Sequence, residues 1–170
     1  MNGTHRIRTV ALPTAPPQWD MAGTADFNGD GKPDILLQNT ITGERRIWFM
    51  NGTALASWVS LGIVPTTWRI VGTGDFNGDG HPDILCQNTD TGEVLIWLMN
   101  GPTVVSTVSV GSAAGWAVGG VGDFNESGWP DILLKNAATG HVRIWLMNGV
   151  TLGRVVDLGA ISTQWEIRNR

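Results

Sequence analysis

The sequence predicts an all-β protein, and three observations lead to this prediction. Met-Asn-Gly recurs at residues 1, 50, 99 and 147, so the 170-residue chain repeats at intervals of 49, 49 and 48 residues. Each repeat holds short apolar runs bounded by Gly, Pro, Asn and Thr, and no window shows a sustained 3.6-residue apolar period. Four short strands in about 40 to 50 residues, repeated along a chain, are typical of β-propeller blades.

The second repeat shows the four predicted strands of a blade. Residues 68–73 are rich in glycine and small side chains, which suits a strand crowded near a propeller axis. Residues 84–88 are apolar without alternation, which predicts burial on both faces. Residues 93–99 follow a Thr-Gly turn, and residues 103–110 alternate apolar with polar side chains, as a half-exposed outer strand does. Antiparallel pairing of these four strands is expected in every repeat.

The chain is predicted to form one repeat domain over residues 1–170, with three complete blades and a partial fourth. The repeats are 1–49, 50–98, 99–146 and the partial 147–170. Propellers typically have about four to eight blades, so the end blades are expected to need self-association or further blades of a longer protein. A β-solenoid or a string of small sandwiches is an alternative. A helical solenoid is disfavoured by glycine and proline in every repeat.

Composition excludes several classes of function. The formal net charge is −4 and no Lys/Arg block is present, so a nucleic-acid partner is not expected. No apolar run approaches the roughly 18 to 20 residues of a membrane span, and the chain shows no export signal. Its single cysteine, Cys86, stands where the other repeats have Leu37 and Leu134, which predicts a buried apolar side chain. Neither a disulfide nor zinc chemistry is indicated.

An acidic loop, D-F-N-x-x-G-x-P-D, occurs once in each complete repeat. Its positions 1, 3, 5 and 9 carry side-chain oxygens, which a tightly wound loop can direct at a hard cation such as Ca²⁺. In the first loop Gly31 permits the sharp turn, Pro33 fixes the backbone before the last ligand, and Phe27 is expected to anchor the loop in the core. The predicted ligands of this loop are Asp26, Asn28, Asp30, Asp34 and the carbonyl of Lys32.

The other two loops differ in their completeness. The second loop repeats the full set, with Asp75, Asn77, Asp79, Asp83 and the carbonyl of His81. The third offers Asp123, Asn125, Ser127, Asp131 and the carbonyl of Trp129. Because Ser127 replaces a carboxylate, weaker binding is predicted there unless Glu126 or water compensates. The loops are not EF-hands, since position 12 is apolar in each copy. Turn formation without metal is the alternative explanation of Asp, Asn and Gly.

At these residues the sequence resembles the FG-GAP/VCBS repeat family, whose loop reads D-x-[DN]-x-[DN]-G-x-x-D. The first two loops match at every specified position, and the third departs at Ser127. The resemblance implies a Ca²⁺-stabilised propeller, usually of seven blades, like that of integrin α subunits. It also implies an extracellular or cell-surface location and a role in adhesion or ligand binding. It does not identify the ligand.

The sequence therefore predicts a Ca²⁺-binding, non-catalytic module for protein or glycan binding. The alternatives are a Trp-rich lectin and an accessory propeller segment of a larger secreted enzyme. Seven of the nine tryptophans recur at equivalent places and are expected to pack between blades, while Trp58 and Trp129 occur once each and are candidates for ligand contact. Catalysis is not expected, because the histidines do not recur and no nucleophile motif is present. The Asn-Gly-Thr sequences at 2–4 and 51–53 are interpreted as coincidental glycosylation patterns.

Overall fold

The computed structural model describes residues 14–162 and residue 164, and this part of the chain folds as β-strands joined by turns and loops. The strands are β1 (Trp19–Ala25), β2 (Asp34–Asn39), β3 (Glu44–Asn51), β4 (Ala54–Ile63), β5 (Trp68–Gly74), β6 (Asp83–Asn88), β7 (Glu93–Asn100), β8 (Thr103–Ser112), β9 (Trp116–Gly122), β10 (Asp131–Asn136), β11 (His141–Asn148) and β12 (Thr151–Ala160). The four strands predicted in the second repeat are confirmed as β5 to β8. Among the described residues, no helix is long and apolar enough to cross a membrane.

The strands form three antiparallel sheets of four, which we call blade 1 (β1–β4), blade 2 (β5–β8) and blade 3 (β9–β12). This confirms the predicted blades, and the three do not close a ring. Each blade is offset from the sequence repeats, because the Met-Asn-Gly turn joins its third and fourth strands. Residues 151–160, which the repeat numbering assigns to the partial fourth repeat, therefore form the last strand of blade 3. The predicted start of a fourth blade at Trp165 lies outside the described residues, as do residues 1–13.

The first strands of consecutive blades lie side by side. Thr73 Oγ1 in β5 donates a hydrogen bond to the carbonyl of Thr24 in β1, over 3.4 Å. A Cβ atom at Gly23 would lie 3.2 Å from Thr73 Cγ2, so a larger side chain has little room there. The small residues of these strands thus permit the close approach that the sequence predicted near an axis.

The second and fourth strands also show the predicted burial. All six residues of β2 are buried, and β6 is buried except at its last residue. The outer strands β4 and β8 expose most residues and partly cover the rest. The middle strand β6 lies between blades 1 and 3, and on the end face of blade 1 Ile35 and Leu37 of β2 are buried in a separate cluster with Met50. The fourth strands face solvent along the rim.

Two hydrophobic clusters join the blades. The cluster between blades 1 and 2 contains Phe27, Leu36, Ile47, Ile70, Ile84, Cys86, Trp97 and Met99. The cluster between blades 2 and 3 contains Phe76, Leu85, Val94, Ile96, Ala113, Ile132, Leu134, Trp145 and Met147. Trp97 and Trp145 confirm the prediction that recurring tryptophans pack between blades. Cys86 is buried as predicted, and burial raises the pKa of its thiol to about 12.

Buried glutamines add polar contacts between blades. Gln87 Nε2 donates to the carbonyl of Trp116 over 2.8 Å, and Gln87 Oε1 accepts from the amide of Val118 over 3.0 Å. Gln38 Oε1 accepts from the amide of Ile70 in the same way, over 3.0 Å. One side chain of a second strand thus binds the backbone of the next blade's first strand. These bonds set the register between neighbouring blades, which hydrophobic packing alone leaves loose.

Arg45 takes part in the first of these junctions, and nothing in the sequence pattern predicted it. Its side chain is buried where blades 2 and 3 carry valine, and burial lowers the pKa of the guanidinium. Arg45 Nη2 donates to the carbonyl of Trp68 over 2.6 Å, and Nη1 donates to that of Gly43 over 3.1 Å. The guanidinium also lies over the Trp97 ring at 5.3 Å from its centroid. It supplies the donor that Gln87 supplies at the next junction.

The two end faces of the array expose apolar side chains that are buried at the internal junctions. Phe27 and Phe76 are fully buried, but the equivalent Phe124 of blade 3 is 48% exposed. At the other end Met21 of blade 1 is 73% exposed, whereas the equivalent Ile70 is 6% exposed. Each exposed residue occupies the position that a neighbouring blade covers elsewhere. The open array is therefore consistent with the expected need for further blades.

Candidate metal-binding loops

The three acidic loops join the first and second strands of their blades. The first follows β1, the second follows β5 and the third follows β9. The second and third loops are neighbours, since Asp75 and Asp123 line one shallow depression between blades 2 and 3. Each loop begins with a carboxylate and ends with a carboxylate on the first residue of a buried strand.

Side-chain oxygens wind the first loop through bonds to its own backbone. Asp26 Oδ1 accepts from the amides of Gly29 and Asp30, at 2.8 and 3.1 Å, and Asp26 Oδ2 accepts from Gly31 at 2.7 Å. Asn28 Oδ1 accepts from the amide of Asp30 at 2.9 Å. Positions 1, 3 and 5 of the loop thus lie on one turn, and the convergence of their oxygens on a cation stays a prediction.

The second loop has the same arrangement. Asp75 accepts from the amides of Gly78, Asp79 and Gly80 at 2.7, 3.2 and 2.9 Å. Asn77 Nδ2 also donates to Asp79 Oδ2 over 2.8 Å. The pKa of Asp79 is lowered, first by the amide of His81 and then by this bond. Both loops with the full predicted ligand set therefore have one geometry.

Left-handed backbone conformations make these tight turns possible. Position 6 is glycine in each loop, with φ of 79° at Gly31, 84° at Gly80 and 88° at Gly128. Position 4 is Gly29 or Gly78 in the first two loops, both at φ 74°. In the third loop position 4 is Glu126 at φ 57°, the one non-glycine residue with positive φ in the part of the chain that the structure describes.

The third loop keeps the turn while losing a carboxylate. The amide of Ser127 donates to Asp123 Oδ1 at 3.0 Å and to Asn125 Oδ1 at 3.1 Å, and Gly128 donates to Asp123 Oδ2 at 2.7 Å. Ser127 Oγ accepts from the amide of Trp129 over 3.3 Å, in the role that Asp30 and Asp79 play elsewhere. A hydroxyl thus replaces an ionised oxygen, and weaker cation binding here stays a prediction.

The last carboxylate of each loop has a second task that the sequence did not reveal. Asp83 is fully buried, where its Oδ2 accepts from the amide of Phe76 and its Oδ1 from that of Met99, both at 2.9 Å. Asp34 and Asp131 make the equivalent pairs of bonds. These carboxylates tie the loop to the end of the third strand. Burial raises the pKa of Asp83, and the charges of Asp79 and Asp75 raise it further.

The donors of each loop are oxygens, which suit a hard cation, and some of these oxygens also accept bonds from backbone amides. Within residues 14–162 and 164, no three or more His, Cys, Asp or Glu side chains converge as a ready cluster. The first and last carboxylates both contribute to this result, because backbone amides already hold both oxygens of Asp75 and of Asp83. A carboxylate has about four acceptor sites, so Asp83 retains capacity after two bonds. Asp79 and Asn77 are solvent-facing oxygen donors on the same turn.

The two tryptophans singled out by the sequence lie in different surroundings. Trp129 is half-buried, and its ring packs over Gly78 of the second loop, where a Cβ atom would lie 3.0 Å from Trp129 Cη2. Trp58 on β4 is 52% exposed, and one face of its ring stacks on the Arg46 guanidinium at 4.3 Å. Trp58 thus offers more free surface for ligand contact than Trp129 does.

Arg46 belongs to an aromatic and charged cluster on the rim of blade 1. Its guanidinium lies between Trp58 and Trp19, whose centroid is 4.5 Å away. Glu44 holds it through two bonds, Nε to Oε1 at 2.8 Å and Nη2 to Oε2 at 2.9 Å. The arginine is therefore fixed on both faces and along one edge.

Blade 3 carries a related cluster that sequence reasoning missed. Arg143, equivalent to Arg46, lies over the Trp116 ring at 4.2 Å. Its Nε donates to Asp157 Oδ2 over 3.0 Å, and His141 Nδ1 lies 3.2 Å from Asp157 Oδ1. The only available signal was the recurrence of arginine at this strand position. The acid comes from a different strand in each blade, which no repeat alignment shows.

The Asp157 carboxylate should make stability depend on acid pH. Bonds from the amide of Gly159, Arg143 and His141 lower its pKa to about 2, below the usual 3.8. Its contribution is therefore complete above about pH 4 and is lost as the pH falls towards 2. We expect Asp157→Asn to be less stable than the parent chain at pH 5, with the difference shrinking by pH 2. Urea unfolding at both values measures this, and an equal difference at both would contradict it.

Comparison with known proteins identifies the repeats. A family model described as an FG-GAP-like repeat matches residues 26–86 and 75–134. Together these matches span residues 26–134, or 109 of 170 residues. Each starts at the first aspartate of one acidic loop and extends through the whole of the next. No curated protein matches the chain.

Proposed function

Because the chain belongs to the FG-GAP-like repeat family, we propose that it is a Ca²⁺-binding, non-catalytic β-propeller module that binds a protein or glycan outside the cell. The observation that carries this proposal is the identical winding of the first two loops. In both, the oxygens at positions 1, 3 and 5 are gathered on one turn by backbone bonds. Oxygen-only donors in a flexible loop are the set that Ca²⁺ prefers.

The mutual repulsion of the carboxylates supports a bound cation. In the second loop the charges of Asp75 and Asp79 oppose the ionisation of Asp83. A Ca²⁺ ion would supply positive charge at this place. Asp75, Asn77, Asp79 and Asp83 would hold it, with the carbonyl of His81 as a further donor. The ion would thus stiffen the link between the first and second strands, which is a structural role.

The surroundings of the histidines favour a module without catalytic activity. His141 pairs with Asp157 on the rim, next to arginine and not to a serine or cysteine nucleophile. His81 lies in the second loop, where its amide bonds to Asp79. The buried thiol of Cys86 has a raised pKa, which disfavours the reactive thiolate.

The binding surface is proposed to comprise the rim of the blades, completed by further blades. The exposed end residues Phe124 and Met21 support docking of blades from a longer chain or a second copy. A lectin is the second candidate, favoured by the exposed ring of Trp58 beside the polar groups of Glu44 and Ser60. An extracellular or cell-surface location is part of the proposal. Loops of this type would bind Ca²⁺ weakly, and free Ca²⁺ is plentiful outside the cell.

Removal of Ca²⁺ tests the proposal. Ligand binding to the folded state stabilises it by about 2.7 kcal/mol per site at 100 times the Kd. We expect the melting temperature in excess Ca²⁺ to exceed that in chelator. Asp30→Ala and Asp79→Ala should each reduce this increment, because each removes an exposed carboxylate from one loop. Ser127→Asp should enlarge it, since it restores the missing carboxylate of the third loop.

Mg²⁺ serves as the control ion, because it demands near-ideal octahedral geometry and gives up its water reluctantly. Identical melting temperatures in chelator and in excess Ca²⁺ would overturn the calcium proposal. Calorimetric titration of the chelated chain gives an independent count of sites.

A further inference from the structure

A groove lies between blades 2 and 3, beside the connection that joins them, and none of its lining residues belongs to an acidic loop. It encloses about 220 Å³. Ala113, Leu134 and Trp145 form its buried floor, and the side chains of Arg143 and Trp116 stand at its wall. The floor is apolar, and the wall carries a cation, so the groove combines the two properties that orient a small ligand.

The connection between the blades explains why this groove is open. Blades 2 and 3 are joined by residues 113–115, Ala-Ala-Gly, whereas blades 1 and 2 are joined by residues 64–67, Val-Pro-Thr-Thr. The connection between blades 2 and 3 is thus one residue shorter than that between blades 1 and 2, and its side chains are smaller. In addition, Arg143 stands where blade 2 has Leu95. At the first junction the larger residues Val64 and Pro65 stand at the places of Ala113 and Ala114.

Arg143 at this groove pairs with a carboxylate through one nitrogen, whereas its counterpart Arg46 pairs through two. In blade 1 Glu44 binds Arg46 through both Nε and Nη2. Blade 3 has His141 in the place of Glu44, and Asp157 accepts from Nε alone. Among the described residues, no carboxylate accepts from the terminal nitrogens of Arg143. Trp116 and Asp157 nevertheless hold its guanidinium in place, so it is preorganised for one more acidic group.

We propose that this groove binds the carboxylate of an acidic sugar residue, such as a uronic acid. The carboxylate pairs with the terminal nitrogens of Arg143, because Asp157 accepts a bond from Nε alone. The ring lies over Ala113 and Leu134, because a sugar ring has an apolar face. This inference deepens the glycan branch of the proposed function, and it does not depend on Ca²⁺.

The size of the groove favours a sugar over a peptide. A half-open groove of about 220 Å³ accepts one ring and is below the usual range of pockets for larger ligands. A peptide of several residues would need a longer channel or an exposed strand edge. A single sugar ring with one carboxylate uses both the floor and the cation.

Binding of free glucuronate to the whole chain tests the proposal, with backbone amide chemical shifts as the measurement. A Kd of the order of 1 to 10 mM is expected for one ring at such a site. Arg143→Leu should weaken binding by at least about 10-fold. Blade 2 accommodates a leucine, Leu95, at the equivalent position. Ala114→Leu, at an exposed position beside the mouth, should weaken it by closing the groove. Arg154→Leu, at an exposed arginine on β12 of the same blade and outside the groove lining, is the control and should leave the affinity unchanged.

Glucose and acetate separate the two halves of the ligand. Both should bind at least about 10-fold more weakly than glucuronate, because glucose lacks the carboxylate and acetate lacks the ring. Equal binding of acetate, or no effect of Arg143→Leu, would overturn the proposal. A short peptide ending in glutamate that binds through Arg143 while glucuronate does not would also overturn it. Repeating the titration in chelator distinguishes this result from a failure of calcium binding.

Discussion

Phe76→Ala is expected to destabilise the chain by about 3 to 5 kcal/mol, whereas Phe124→Ala is expected to cost less than about 1 kcal/mol. The two residues hold the same position in consecutive loops. Phe76 is fully buried in the cluster between blades 2 and 3, so its removal leaves a cavity. Phe124 faces the open side of blade 3, where no cavity forms. Chemical denaturation of both variants, in chelator and at low protein concentration, measures the difference.

The same pair of variants reports on the missing neighbour of blade 3. If Phe124→Ala proved as costly as Phe76→Ala, the open face would be covered in solution, and the open arrangement described above would be contradicted. Phe27→Ala is the matched control, because Phe27 is also fully buried at an internal junction. It should resemble Phe76→Ala.

Asp83→Ala is expected to destabilise the chain by about 3 kcal/mol or more, even without Ca²⁺. The substitution leaves the buried amides of Phe76 and Met99 without their acceptor. Each buried donor without a partner costs about 1 to 3 kcal/mol. The stability of Asp83→Asn should lie between that of the parent chain and that of Asp83→Ala. The asparagine carbonyl oxygen can accept a bond from one amide, but its NH₂ group cannot accept from the other. Urea unfolding in chelator is the measurement.

Asp79→Ala separates the structural role from the metal-binding role. Asp79 is exposed, so in chelator its loss should change the free energy of unfolding by only about 0.5 kcal/mol. In excess Ca²⁺ the change in the free energy of unfolding caused by Asp79→Ala should be larger, since the substitution also removes a ligand of the ion. A small effect of Asp83→Ala in chelator would show that its carboxylate acts only through the ion, contrary to the bonds seen here.

Much of the candidate site followed from spacing within one repeat. The loop residues at positions 1, 3 and 5 are close in sequence, so the sequence alone predicted a tight turn at Gly31 and Gly80. It could not predict that Asp34 and Asp83 also serve the backbone. Those bonds reach Met50 and Met99, each 16 residues away, and depend on how the second and third strands pair.

The sequence by itself determined the repeat, the four strands of each blade and the acidic loops, because these depend on side chains within a few residues of one another. Only the tertiary structure decided which residues at equivalent repeat positions are buried and therefore contribute to the free energy of unfolding. Phe124 and Met21 have the same local sequence context as their buried counterparts, yet they lie at the ends of the array, where no neighbouring blade removes them from water. The groove at Arg143 likewise depends on the length of one connection and on Asp157, a partner from another strand. The burial of these side chains and the bond between Arg143 and Asp157 depend on contacts between residues distant in sequence, which a local sequence pattern does not specify.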